Sequence, residues 1–469
     1  MDDLPTDVFQ DLVGWIDSDG LANLRLTSKS LEFATDHAFW TGRLVKVVIN
    51  EEPGNETTLA KLEAFAAKPE SAGRIQRLDL DVSVQYLEEE VLGRFPEILG
   101  DGLRALKGLR SISWQIPGKG PEWVPNTICE ALATLPSPSY LSIRGPLTLD
   151  HFPALPLHLF THGSLEQLLI IYPCKNSSLY VQPLQALLTH NLNLTRLDLQ
   201  FHPRFPRFMF PVTPFSDLFT VPFSKPLRLE SLMLVGWTVD FTSDVLPHIR
   251  GLRTLKLRDQ EQKGAYWDVL RSSDIHLRNI MVCNPGSELV DYISSFSGLE
   301  ILTLSVIRMN DQEESDRFAR KFYEALPRHR ATLKEATILS RRPELWISNA
   351  SVFDGFTELV SLSVCVGRDD ILATEDPEVN NAVGILVKHA LALPKLRTIE
   401  INPTFHPRDA GGMSFIGTGP GIVGSIVENL KLTLKEPPLL TILIRGGRGK
   451  YIPEMVSEGE VRYKFVSDP

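Results

Sequence analysis

The string in this sequence whose spacing comes closest to a cofactor site is Gly419-x-Gly421-x-x-Gly424. Such a turn holds a pyrophosphate when it joins a strand directly to a helix, because backbone N–H groups then converge on the phosphates. Here the nearest predicted strand ends at Ile401, and Pro403 to Phe415 intervene. Pro420 also removes one phosphate-facing N–H. The glycines therefore read as a flexible loop entering a helix over Ile422 to Leu430, and no cofactor is expected. The four cysteines, Cys129, Cys174, Cys283 and Cys365, stand far apart, with no Cys-x-x-Cys or Cys/His cluster. That spacing disfavours a zinc site or a disulfide framework, and isolated cysteines pack as small apolar groups. His190 reads as a helix-end or loop residue. No Ser/His/Asp or Cys/His grouping suggests a nucleophile, so the expectation is a non-catalytic protein with no metal.

Composition narrows the partners. The 469 residues carry 58 acids against 48 bases, a formal net charge of -10. A surface built for nucleic acid or for an anionic membrane would lean the other way. No run approaches the roughly 20 apolar residues of a membrane span, and the opening residues lack a signal-peptide core. The expected location is cytoplasmic, nuclear or both.

Without catalytic groups, function must come from surfaces, and the opening stretch from Leu4 to Trp40 offers one. Pro5 fixes φ at a helix start, Thr6 can cap it, and Asp7 faces the positive end of the helix dipole. Val8, Phe9, Leu12, Val13 and Ile16 then share one face. Ser18, Asp19 and Gly20 break the helix. A second short helix opens at Leu21 and Leu24, and Leu31, Phe33, Ala34, Ala38, Phe39 and Trp40 supply a third apolar set. Three helices in some forty residues bury too little surface to stand alone.

This stretch resembles an F-box. The likeness rests on Leu4-Pro5, Asp7, Val8-Phe9, Leu12, Ile16, Asp17, Leu21, Leu24-Arg25-Leu26, Ser28-Lys29 and Phe39-Trp40. It departs after Ser28-Lys29, where Ser30 and Leu31 stand in place of an aromatic residue. The resemblance implies docking on the adaptor subunit of a cullin-RING ubiquitin ligase, and through it on the cullin. The implied adaptor contacts are Leu4, Pro5, Val8, Phe9, Leu12, Ile16, Leu24 and Leu26. Read from physics alone, the same helices could simply cap the rest of the chain.

Beyond residue 70 the sequence is a repeat. Leu-x-x-Leu-x-Leu, with Ile or Val substituting, starts at Ile75, Leu109, Pro138, Leu165, Leu194, Leu229, Leu252, Leu277, Leu299, Leu333, Leu359, Leu396 and Leu439. Intervals of about 22 to 43 residues centre on the leucine-rich-repeat length. In each unit the second and third apolar residues share a strand face, and the first packs beneath them. The predicted fold is α/β: a three-helix F-box, then an irregular leucine-rich-repeat solenoid with a parallel concave sheet and a mostly helical outer layer. An ordinary α/β sheet is the competing reading. The expected divisions are 1–45 for the F-box, 46–70 for a connecting helix or linker, 71–449 for the solenoid and 450–469 for a tail. Together the two halves resemble the F-box leucine-rich-repeat class. That implies a substrate-recognition subunit of a ubiquitin ligase, with the solenoid holding an unidentified target protein. A repeat scaffold acting outside any ligase is the alternative.

The residues between the strand leucines predict the concave face. Its apolar group, Leu169, Ile171, Met233, Val235 and Met281, with Trp237 just beyond, is the candidate target site. Residues 201–226 hold seven phenylalanines, six prolines and the pair Arg204 and Arg207. Such a loop either folds back onto the solenoid or presents a sticky binding edge, and packing is the favoured reading. Trp237 is expected to abut it.

Overall fold

The structure, a computed structural model, describes residue 23 and residues 44–467. Outside the description lie 50–54, 118–120, 146–154, 173–176, 202–212, 259–263, 308–311, 341–349, 368–370, 372–380, 405–418 and single positions 137, 162, 284, 448 and 458. The F-box-like stretch, with all eight implied adaptor contacts, falls outside the described residues. The chain divides into two compact units, Met1–Gly251 and Leu252–Pro469.

The first unit is a ladder of parallel strands. These are β1 (Leu44–Ile49), β2 (Arg77–Val82), β3 (Ser111–Gln115), β4 (Tyr140–Arg144), β5 (Gln167–Tyr172) and β6 (Arg196–Phe201). β7 (Thr213–Pro214) leaves the ladder, which resumes with β8 (Ser231–Val235), paired to β6 in register. β7 instead pairs with β9 (Trp237–Thr238). Every parallel step needs a long crossover, and helices supply several: α1 (Asn55–Ala67), α2 (Phe95–Arg104), α3 (Trp123–Ala133) and α4 (Val181–His190). The ladder starts earlier than the repeat pattern does. Leu44–Ile49, readable in sequence as a strand or a helix end, is a strand aligned residue for residue with β2. It lies across the expected junction between F-box and linker.

The second unit repeats the plan with β10 (Thr254–Arg258), β11 (Asn279–Cys283), β12 (Ile301–Ile307), β13 (Glu335–Ser340), β14 (Ser361–Gly367) and β15 (Thr398–Thr404). After β16 (Leu432–Thr433) comes β17 (Thr441–Ile444), parallel to β15. Its crossovers include α5 (Ala265–Ser272), α6 (Ser287–Ile293), α7 (Gln312–Ala325), α8 (Ala382–Leu391) and α9 (Gly419–Asn429). The segment beyond Lys450, expected only as a tail, belongs to a hairpin. β18 (Gly449–Ser457) runs antiparallel to β17, and β19 (Glu460–Ser467) returns along it.

Two features explain why such unequal repeats keep one register. The first is apolar. The strand leucines on the inner side are buried throughout, from Leu78 and Leu80 to Ile442 and Ile444, and Trp114 and Ala336 fit at motif positions. Each fully buried Leu or Ile contributes roughly 1.5–3 kcal/mol. The second is a backbone clasp at the strand entrance. One carbonyl accepts two successive N–H groups of the next repeat: Gln76 O takes those of Arg110 and Ser111, and Arg110 O those of Ser139 and Tyr140. The same clasp recurs at Arg253, Arg278, Glu300, Lys334 and Val360.

Buried polar side chains complete the turns that lead into the strands. Asn191 accepts from the Leu165 N–H at 3.3 Å and donates to the Phe160 and Leu187 carbonyls at 2.8 Å each. His248 Nδ1 accepts from Leu227 N–H at 3.0 Å. Tyr292 Oη accepts from Leu277 N–H and donates to Ile275 O. His329 Nδ1 accepts from Leu299 N–H at 3.2 Å, which leaves its Nε2–H to donate to Ile293 O at 3.0 Å. A buried N–H left unpaired would cost about 1–3 kcal/mol, so each side chain stabilises the turn it closes. Burial holds both histidines below the usual imidazole range, and Arg328 adds to that effect at His329.

The last repeat departs from the pattern. Leu439, expected to lead it inward, is 72% exposed, and Leu440 is buried in its place at 2%. The strand itself keeps its register, since Thr441 N–H bonds Arg397 O and Ile442 and Ile444 align with Ile399 and Ile401; the departure is confined to the turn after Pro437 and Pro438. The glycine-rich string also differs from a loop. Gly419, Gly421 and Gly424 all lie inside α9. A Cβ at Gly424 would sit 2.3 Å from Tyr451 Oη, so the missing side chain lets β18 close onto the helix.

Candidate binding face

Each strand turns alternate residues away from the buried leucines, and their partial exposure marks the ladder's open face. In the first unit, strand pairing sets Asp79, Ser113, Ser142, Leu169, Asp198 and Met233 side by side in one row. The neighbouring row is Asp81, Gln115, Arg144, Ile171, Gln200 and Val235. Adjacent strands lie about 4.8 Å apart, so these rows are nearly continuous strips of side chains.

The apolar group expected at the middle of this face is only partly there. Leu169, Ile171 and Met233 stand half-buried on it. Val235 and Trp237 are 0% exposed and line nothing. The reason is a bend. Gly236 takes φ +78, a conformation that favours glycine, and a Cβ there would strike Phe201 O at 2.1 Å. The chain turns inward at that point, and Trp237 packs edge-on against Phe201 with ring centroids 5.4 Å apart. Met281 belongs to the second unit, between Lys256 and Thr303 on its own open face.

A carboxylate splits the apolar strip. Asp198 lies in the row between Leu169 and Met233 and is 3% exposed. Gln200 Nε2 donates to Asp198 Oδ1 at 3.1 Å and touches Met233 Sδ at 3.4 Å, and Arg196 Nη2 stands 3.6 Å from Asp198 Oδ2. The patch thus offers the half-buried Leu169, Ile171 and Met233, with Asp198 engaged beneath them by Gln200 and Arg196.

The described part of the phenylalanine-rich loop packs down, as favoured. Phe215 and Phe219 are buried, and Phe219 and Phe223 bracket the His248 ring at 4.7 and 4.5 Å. Gln185 Nε2 on α4 donates to Asp217 O at 2.6 Å. Ser216 donates both its N–H and its hydroxyl to the Asp240 carboxylate. Trp237, expected beside this loop, pairs with Thr213. Phe205, Phe208, Phe210, Arg204 and Arg207 lie outside the described residues.

The second unit holds a polar cluster that the sequence pattern did not single out. Ser363 donates to Glu400 Oε2 at 2.7 Å, Asn402 Nδ2 donates to Ser363 Oγ at 2.9 Å, and Arg445 Nη1 reaches Asn402 Oδ1 at 3.5 Å. Polar residues recurring at outward positions of β14, β15 and the end of β17 were the available signal. Cys365 on the same face is buried, which pushes its thiol up to about 12, and the buried Cys129 is likewise pushed up to about 12. Neither is a nucleophile at neutral pH. Cys283 shares a 3.1 Å hydrogen bond with Ser305. His190 closes α4 with Nδ1 2.7 Å from Ala186 O, a structural contact. Among the described residues no three His, Cys, Asp or Glu side chains assemble as a metal site, and no helix is long and apolar enough to cross a membrane.

Comparison with known proteins is sparse. No family model matches the chain, and no curated protein matches it. Among solved structures, the crystal structure of a Rad7 and Elc1 complex in yeast is similar over 87% of this chain and 90% of that one. Identity is 14% and the TM-score 0.40, a likeness too low to carry a functional argument.

Proposed function

We propose that this chain is a non-catalytic substrate receptor of a cullin-RING ubiquitin ligase. Residues 4–40 dock the adaptor, and the open face of the ladder holds a target protein in the cytoplasm or nucleus. The observation that supports the reading is one of order along the chain. An F-box-like run from Leu4 to Trp40 stands immediately ahead of a parallel ladder whose first strand begins at Leu44. Binding on such a face needs no catalytic group on this chain, because the ligase's conjugating enzyme performs the chemistry.

The test is capture by the purified ligase adaptor at micromolar concentration. The intact chain is expected to bind, and Leu4→Ala with Pro5→Ala is expected to abolish capture while the circular dichroism spectrum stays unchanged. Failure of the intact chain to bind rejects the reading. One observation favours a second reading, a repeat scaffold outside any ligase: β1 is the first strand of the ladder, and the opening rung of a stacked fold needs a cap. Deleting residues 1–43 separates the two. A cap leaves an aggregating remainder when removed, whereas a docking module leaves a soluble one.

A further inference from the structure

The strand-entrance edge of the second unit carries a cleft of about 420 Å3 that the open face does not include. Arg253 and Arg278 line it from neighbouring positions just before β10 and β11, held together by the Arg278 N–H donating to Arg253 O at 2.8 Å. Like charges at neighbouring sheet positions repel. Both side chains are exposed, so the core does not require them there.

The acids nearby do not balance this pair. Glu300 accepts from Arg278 Nη1 at 3.2 Å and from Lys334 Nζ at 2.7 Å, and those two cations hold its carboxyl below the usual range. Arg253 has no hydrogen-bond or ion-pair partner for its guanidinium among the described residues. The Glu300 carboxylate is thus already shared by two cations, Arg278 and Lys334, and none is left for Arg253, in a chain of net charge -10. Beside them the His276 imidazole lies flat on Phe296, with centroids 5.0 Å apart and planes 5° from parallel. Its Nε2 is 3.2 Å from Asp274 Oδ1, a carboxylate that stands out in solvent. Gly298, at φ +108, also lines the cleft.

We propose that this cleft binds a phosphomonoester. The two guanidiniums clasp the dianion, and the imidazole face supports a flat group attached to it. A guanidinium presents paired donors matched to phosphate oxygens. A single further carboxylate would leave one of the two forks unfilled, whereas three phosphate oxygens supply acceptors for both. The proposal is independent of the ligase reading.

The experiment titrates the full chain into phenyl phosphate and into inorganic phosphate, followed by 31P line broadening. Saturable binding of both is expected. Arg253→Glu should weaken both by about tenfold or more. His276→Ala should weaken phenyl phosphate and leave inorganic phosphate unchanged. Lys388→Ala, which removes an exposed cation outside the cleft, should change neither. A phosphotyrosine hexapeptide and its unphosphorylated twin distinguish the source: tighter binding of the phosphopeptide than of phenyl phosphate assigns a peptide, and equal affinity assigns a small free ester. Wild-type affinity in Arg253→Glu, an equal loss in Lys388→Ala, or no saturable binding of phenyl phosphate overturns the proposal.

Discussion

The open faces of the two units are built on the same strand plan and differ in chemistry. In the first, Leu169, Ile171 and Met233 stand half-buried near the buried Asp198 and form an apolar patch in an otherwise polar strip. In the second, Ser363, Glu400, Asn402 and Arg445 bond to one another and leave fewer groups free. Backbone geometry is alike in both, so the difference lies in which residues occupy the outward positions. A ladder of this kind separates stability from recognition: inward residues hold it together, and outward ones are free to vary between units.

That separation can be broken most severely from the inside. Leu302→Ala removes a fully buried leucine of β12 and is expected to cost about 2–5 kcal/mol by urea denaturation. An equal truncation on the open face, Leu169→Ala, should cost far less. Gly424→Ala is next: its methyl group meets Tyr451 Oη, and overpacking of this kind costs about 1–3 kcal/mol. It should lower the unfolding midpoint of the second unit and leave the first unit's hydrogen-exchange protection unchanged.

The polar clusters rank lower. Ser363→Ala orphans a donor on Asn402 and an acceptor on Glu400, for an expected loss of about 1–2 kcal/mol. Gln200→Ala in the first unit, where the side chain is half-buried and water can replace it, should lose about 0.5 kcal/mol or less. Parity between the two would mean that the units do not differ as described.

Acid should find one weakness in each unit. His248 and His329 are buried neutral, with pKa values lowered in the folded state. The unfolded chain then binds more protons below about pH 6.5. Stability is therefore full above that pH and falls as the solution is acidified toward the folded-state values, by up to about 1.4 kcal/mol per pH unit for each histidine. His329→Asn and His248→Asn should each flatten the slope, because burial disfavours the protonated ring at both sites. The smallest effect on folding is expected from Leu169→Ser, within about 0.5 kcal/mol. The same change should weaken capture of any protein that co-purifies through the first unit's face. Unaltered capture would move the binding site elsewhere.

Much of the ladder was legible because its signal is local. Leucine spacing marks strands at every one of the predicted sites, from Arg77–Val82 to Thr441–Ile444. Leu44–Ile49 reads in sequence as either a first strand or a helix end, because it carries no leading leucine turn to decide between them. In the last repeat the strand follows the motif but Leu440, not Leu439, fills the turn ahead of it. The binding patch was harder to read. Val235 sits in an outward column by count and by pairing yet is fully buried, and the turn at Gly236 sends Trp237 inward after it. Arg253 and Arg278 lie a full repeat apart in sequence, so only stacking reveals that they are neighbours.

The shared carbonyl at most of the strand entrances has a consequence for how this protein can change. Because most rungs are indexed by two N–H bonds at one point, residues can be added or deleted on the outer arc without re-registering the rung above. An insertion inside a strand enjoys no such freedom, since it would shift every side chain after it to the opposite side. Tolerance to length variation should accordingly alternate along the chain, with rigid strand stations separated by stretches open to tinkering.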